Sequence, residues 1–174
     1  MIGNDRDEAY RERVKEDYRF AEWAGRTKEG DRHISDFRIR PGDLQRYTLQ
    51  EQDELPALRR QRRIIRYLFS PLYEDDRGRL IATVFECHSV LDAHETLIDV
   101  VISYMAPSLP RCETRGLKVG DICFGGHGPL SLRAIFARFN ILVEIKSTSP
   151  EGPEVGELGR DIDELILNWR PQAF

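Results

Sequence analysis

The sequence predicts an α+β fold: an antiparallel sheet curled around or packed on a central helix, with an N-terminal helical arm and a C-terminal amphipathic helix. Three observations predict it. Strand-like runs follow one another without a helix between them, which favours antiparallel pairing over strict strand–helix alternation. Val90, Ala93, His94, Leu97, Ile98, Val101, Tyr104 and Met105 make one broad apolar helix face after Ser89. Val155, Leu158, Ile162, Leu165, Ile166 and Trp169 recur at helical spacing near the end.

Each element has a local reason. Over residues 4–25, Tyr10, Val14, Tyr18 and Ala21 share a narrow stripe, with Phe20 and Trp23 off it, so this helix reads as an arm laid on the domain. Residues 27–36 read as a linker. The expected division is therefore an arm and linker over 1–30 and one domain over 31–174. Phe37-Arg38-Ile39, stopped by Pro41-Gly42, and Tyr47-Thr48-Leu49 are short strand candidates. Residues 63–69 and 80–85 are β-branched and aromatic and predict a hairpin, its loop closed by Gly78. Pro71 points to an interrupted or edge ladder there.

Ser89 can cap the 89–105 helix, helped by Asp92 near its positive end, and Pro107 and Pro110 end it. Strands are expected over 119–124, 133–138 and 141–146, the last two joined at Phe139-Asn140. Asn tolerates the positive φ of a two-residue turn more readily than Phe, which leaves the register open by a residue. The last helix is expected over 154–169.

Composition bounds the rest. At 174 residues, with 40% hydrophobic and 32% charged residues, the chain is long enough for a core that needs no metal or disulfide. A net charge of −4 gives no global attraction to nucleic acid or anionic membrane. Cys87, Cys112 and Cys123 show no CxxC spacing, so a reducing compartment, the cytoplasm, is the default. The cell envelope is the alternative if a leader has been removed. No run of 18 apolar residues is present to span a membrane.

From Leu80 to Leu165 a longer pattern runs through the chain: Phe85-Glu86 before a helix, Gly120-Asp121, a hairpin of the form Phe136-x-Arg138-x-Asn140-x-x-Val143, and Arg160-Asp161-Ile162-Asp163. This half of the chain resembles uncharacterised bacterial domains, often on lipoproteins, with a cystatin-like arrangement or the related nuclear-transport-factor-like (NTF2-like) roll. The resemblance implies a sheet curled around a helix. It implies no reaction and supplies no catalytic residues.

Several residues invite chemistry. Cys87-His88 and Cys123-x-x-x-His127 contain a zinc-like donor set, but the spacing fits no structural zinc pattern and buried cysteine is commonly a small apolar residue. No third residue completes a Cys/His hydrolase. Gly125-Gly126-His127-Gly128-Pro129 can form a backbone nest for an anion, yet lacks the Lys-Ser/Thr of a P-loop. His88, His94 and His127 are the candidate pocket residues, with His94 more simply a core histidine. Asp161 and Asp163, two apart on a helix, point to different sides, and Asp121 is expected to anchor a strand turn.

Arg59, Arg60, Arg62, Arg63 and Arg66 place five guanidinium groups in eight residues and, with Gly125 and Gly126, are the candidate anion-binding groups. Glu51, Asp53 and Glu54 before them and Glu74, Asp75 and Asp76 after them predict neutralisation. No catalytic residue, cofactor or metal is expected. The expected function is a bacterial binding or interaction domain whose partner is another protein or itself. The alternatives are a small enzyme or ligand carrier, with a pocket between the sheet and the 89–105 helix, and an arginine-mediated nucleic-acid binder.

Overall fold

The computed structural model describes residues 3–27, 32–72, 78–103, 118–125 and 132–170. After helix α1 (Gly3–Asp17), strands β1 (Tyr47–Leu55), β2 (Gln61–Pro71) and β3 (Leu80–Cys87) form one meander. Helix α2 (Val90–Ser103) crosses to the far edge, and β4 (Ile122–Gly125), β5 (Arg133–Arg138) and β6 (Ile141–Ser147) return as a second meander before α3 (Val155–Asn168). The sheet order is β1-β2-β3-β6-β5-β4, and every pairing is antiparallel. The fold is α+β, with the two meanders joined along β3 and β6.

Helices lie on both faces of this sheet. Strand alternation sends Val84, Phe136, Val143 and Ile145 to the side of Leu158, Ile162 and Ile166 of α3. It sends Ile135, Ala137 and Leu142 to the side of Leu97, Ile98 and Val101 of α2. All of these side chains are buried. Phe85 and Leu165 reach the same cores but are only half-buried. Ser89 caps α2 as expected: its Oγ accepts from Asp92 N at 3.0 Å and donates to Asp92 Oδ2 at 2.7 Å.

Four local expectations are corrected. The arm helix ends at Asp17 rather than 25, because Arg19 adopts a left-handed φ of 53° and the chain continues in two short 3₁₀ turns. That kink turns Trp23 inward, fully buried against Phe124, while Tyr10 on the predicted stripe is exposed. Residues 37–39 form no strand. Phe37 and Ile39 instead plug the α3 side of the core, with Ile39 N donating to the Tyr67 hydroxyl at 3.2 Å. The strand at Tyr47 runs on through the acidic residues to Leu55, as an outer edge strand whose charges face water. The strand expected over 119–124 begins only at Ile122, because Gly120 (φ 65°) turns the chain just before it.

The β5–β6 hairpin settles the open register. Arg138 pairs with Ile141, and Phe139, not Asn140, takes the positive φ, at 53°. Asn140 is fully buried and explains the exchange: its Oδ1 accepts from Ile34 N at 2.7 Å, and its Nδ2 donates to Ile34 O at 2.8 Å and Cys87 O at 2.9 Å. Three hydrogen bonds fix Asn140, so its neighbour absorbs the left-handed turn.

Candidate functional site

The arginine run spans the loop after β1 and the first half of β2, where a bulge between Gln61 and Arg63 offsets the ladder. The run does not present one cationic face. Arg60 turns to α2 and meets Asp99 at 2.6 Å. Arg63 lies beside its cross-strand partner Glu86 at 2.6 Å and also reaches Asp36 at 3.3 Å. Arg66 pairs with Asp53, directly across the ladder, at 3.1 Å. Arg62 is 3.8 Å from Glu86 and 3.1 Å from His33 Nε2. Arg59 is exposed and makes no ion pair with a described residue. One of the upstream acids named from the sequence, Asp53, pairs within the run, and Glu54 pairs with Arg38 instead.

Helix α2 carries the other side of this rim. Arg11 and Lys15 of α1 both bind Glu95, Lys15 at 2.9 Å, and Arg11 also binds Asp99 at 2.9 Å. Asp99 therefore holds the arm and the loop after β1 together.

The candidate pocket residues separate. His88 is exposed, with its backbone N–H on Arg60 O at 3.2 Å. His94 is buried on α2 against Trp23 and Phe20, with ring centroids at 5.7 and 6.4 Å and edge-on geometry. Its Nε2 has no hydrogen-bond partner, and burial pushes its pKa down to about 4, so it is neutral at pH 7. His127, Gly126 and Cys112 lie outside the described residues. Gly125 ends β4, buried and paired with Ala134.

Cys87 and Cys123 sit on opposite faces of the sheet with β6 and β5 between their strands, roughly 14 Å at the usual strand spacing. They cannot share one metal ion. Cys87 Sγ faces Thr96 of α2, and burial pushes its thiol up to about 12, the reverse of an activated nucleophile.

Two groups escaped the sequence reading. Arg138, Asp121 and Asp163 form a buried cluster at one end of the sheet. Arg138 binds Asp163 through Nε and Nη2, both at 2.8 Å, and Asp121 through Nη1 at 2.8 Å. Asp121 also accepts from Phe139 N at 3.1 Å, the turn anchor expected of it, and Asp163 accepts from Gly120 N at 2.9 Å. Burial pushes the Asp121 carboxyl up. Gly120 has no room for a side chain, since a Cβ would lie 2.6 Å from Ala137 O. The second group is Glu144, a buried carboxylate mid-sheet on β6, also raised by burial. Lys146 Nζ lies 2.7 Å from its Oε1, off the line of a good hydrogen bond. The signal for the first cluster was the pattern of Gly120-Asp121, Phe136-x-Arg138-x-Asn140 and Arg160-Asp161-Ile162-Asp163; for Glu144 there was none.

The side of the sheet under α2 is filled where it is described, by Leu97, Ile98, Val101, Ile135, Leu142 and Trp23. An open cleft of about 480 Å³ lies elsewhere, between residues 43–46 and α3. Arg46 bridges its mouth, binding Asp161 at 2.7 Å and Glu157 at 2.9 Å. No described helix is long and apolar enough to cross a membrane. No family model, curated protein or solved structure matches the chain.

Proposed function

We propose that this chain is a non-catalytic interaction module that works by contact with another protein or with a second copy of itself. The observation that carries this reading is the filled contact beneath α2. A small enzyme or carrier working there needs an enclosed pocket with convergent polar groups. Leu97, Ile98 and Val101 occupy that space, and His94 is walled by Phe20 and Trp23. The pairing of Arg60, Arg63 and Arg66 with carboxylates weighs against a phosphate-binding strip. Cys87 and Cys123 are buried and form no disulfide, which fits a reducing cytoplasm. The likeness of residues 80–165 to bacterial cystatin-like or nuclear-transport-factor-like domains belongs to the same proposal, with α2 as the helix about which the sheet would curl.

A ligand carrier is the second reading, and the observation in its favour is the open cleft against α3. Native mass spectrometry of protein purified from its own host separates the two. The module reading expects a second polypeptide or a homo-oligomer. A stoichiometric small-molecule adduct on a monomer would contradict it.

A further inference from the structure

Of the five arginines in the run, Arg59 alone lacks an acidic partner among the described residues, and it stands next to Leu58. Leu58 is 71% exposed, the most of the large apolar residues described, and Leu91, at 60%, lies in the first turn of α2. The two belong to one surface, because His88, three residues before Leu91, donates its backbone N–H to Arg60, two residues after Leu58. Pro56 and Ala57, also exposed, extend it.

The loop that carries Leu58 is held by hydrogen bonds on both flanks. Gln61 N donates to Leu58 O at 2.9 Å, and Gln61 Oε1 accepts from Leu58 N at 3.0 Å. Gln61 is itself buried, and its Nε2 donates to Thr96 Oγ1 of α2 at 3.0 Å. Arg60 fastens the other flank to Asp99. A single exposed leucine says little. Here Leu58 and Pro56 lie on a loop held by several hydrogen bonds, and that loop is bonded to the residues that lead into α2 and Leu91, which lowers the entropy cost of binding.

We infer that the 56–59 loop and the start of α2 form a preorganised docking surface for a protein partner offering a small apolar pocket edged by carboxylates. Leu58 enters the pocket, and Arg59, with exposed His88 beside it, meets the acidic edge. Charge complementarity sets the partner's sign: Asp53, Glu86 and Asp99 are engaged by Arg66, Arg63 and Arg60, whereas Arg59 has no acidic partner among the described residues. An aliphatic tip also offers no aromatic platform on which a nucleic-acid base could stack, which favours protein over RNA or DNA.

This inference rests on the interaction-module reading, and its test separates the two. A photo-crosslinking residue is placed at position 58 in the full chain, in cells that make the protein. The crosslinked protein is identified, purified and titrated against the wild type, L58D, R59E and the control L72D. All three substitutions fall at exposed sites, and unchanged melting curves verify folding. The expected result is affinity lowered ~10-fold or more by L58D and by R59E, weakened by salt and unchanged by L72D. A partner that binds L58D and R59E as tightly as wild type overturns the surface but leaves the module reading standing. A crosslink from position 58 to a second copy, or to RNA, overturns the stated partner. No crosslinked or co-purifying protein at all defeats both.

Discussion

Arg138 and the arginines of residues 59–66 carry the same group in opposite settings. Arg138 is largely buried, holds two aspartates with three of its N–H groups, and ties the start of β4 and the end of β5 to the middle of α3. Of the 59–66 arginines, Arg63 alone is as enclosed as Arg138, against buried Glu86; the others sit at the rim, and the carboxylates Asp36, Asp53 and Asp99 that the run engages are themselves well exposed. Exposed pairs are worth little, whereas stripping one partner from a buried set leaves charge without solvent or counterion. The contrast teaches that the density of charge along a sequence is a poor guide to where charge governs the fold. Apart from Arg63, the conspicuous run is structurally minor, and Arg138, in a hairpin with no arginine cluster, is central.

The largest effect should come from breaking the buried cluster. Arg138→Met leaves Asp121 and Asp163 facing each other without a cation, and should cost about 3–5 kcal/mol in urea unfolding. A loss below 1 kcal/mol would erase the distinction between the two regions. Leu97→Ala, which opens a void between α2 and the sheet, should cost about 2–5 kcal/mol. A smaller loss would show the contact under α2 to be loosely packed.

His94 provides a pH test. In the unfolded chain an imidazole takes up its proton near pH 6.5, whereas the folded chain refuses it until about 4. Stability supplied by neutral His94 is therefore complete above 6.5 and is lost progressively as pH falls toward 4, by about 3 kcal/mol at most. Asp121 and Glu144 act in the opposite sense: their carboxyls are pushed up, so the folded state gains on the unfolded one as pH falls through the raised values. The difference between wild type and His94→Leu isolates the histidine, and the variant's stability should fall less over that window. Parallel pH profiles would place water or a polar partner at Nε2.

Much of the fold was legible because local pattern and tertiary role agree. The α3 periodicity, the β2–β3 hairpin with Gly78 at φ 113°, and the Ser89 cap all follow from near neighbours in sequence. The failures share a cause: a distant contact decided the local conformation. Trp23 packs on His94 and Phe124 where the helix breaks at Arg19, Phe139 accepts a left-handed turn because Asn140 is tied to Ile34 and Cys87, and residues 37–39 are held by Tyr67 and Trp169 rather than by a ladder. The candidate site was less legible. Five clustered arginines are visible in any reading, but their pairing with Asp99 and Glu86 depends on how α2 and β3 lie beside them. Asp121, Arg138 and Asp163 span 42 positions and meet only in the fold.

The smallest expected effect is the most direct test of the account. With Arg60, Arg63 and Arg66 engaged by carboxylates, duplex DNA and single-stranded RNA should bind weakly at about 150 mM salt, no tighter than the usual nonspecific range of ~10⁻⁴–10⁻⁶ M. Replacing Arg59, Arg62 and Arg66 together by Gln should leave that affinity nearly unchanged in fluorescence anisotropy, and should shift unfolding stability by only about 1 kcal/mol. Submicromolar binding at that salt, falling with a log–log slope of about −0.9 per phosphate on duplex DNA and lost in the triple variant, would contradict the account and make the rim a nucleic-acid site.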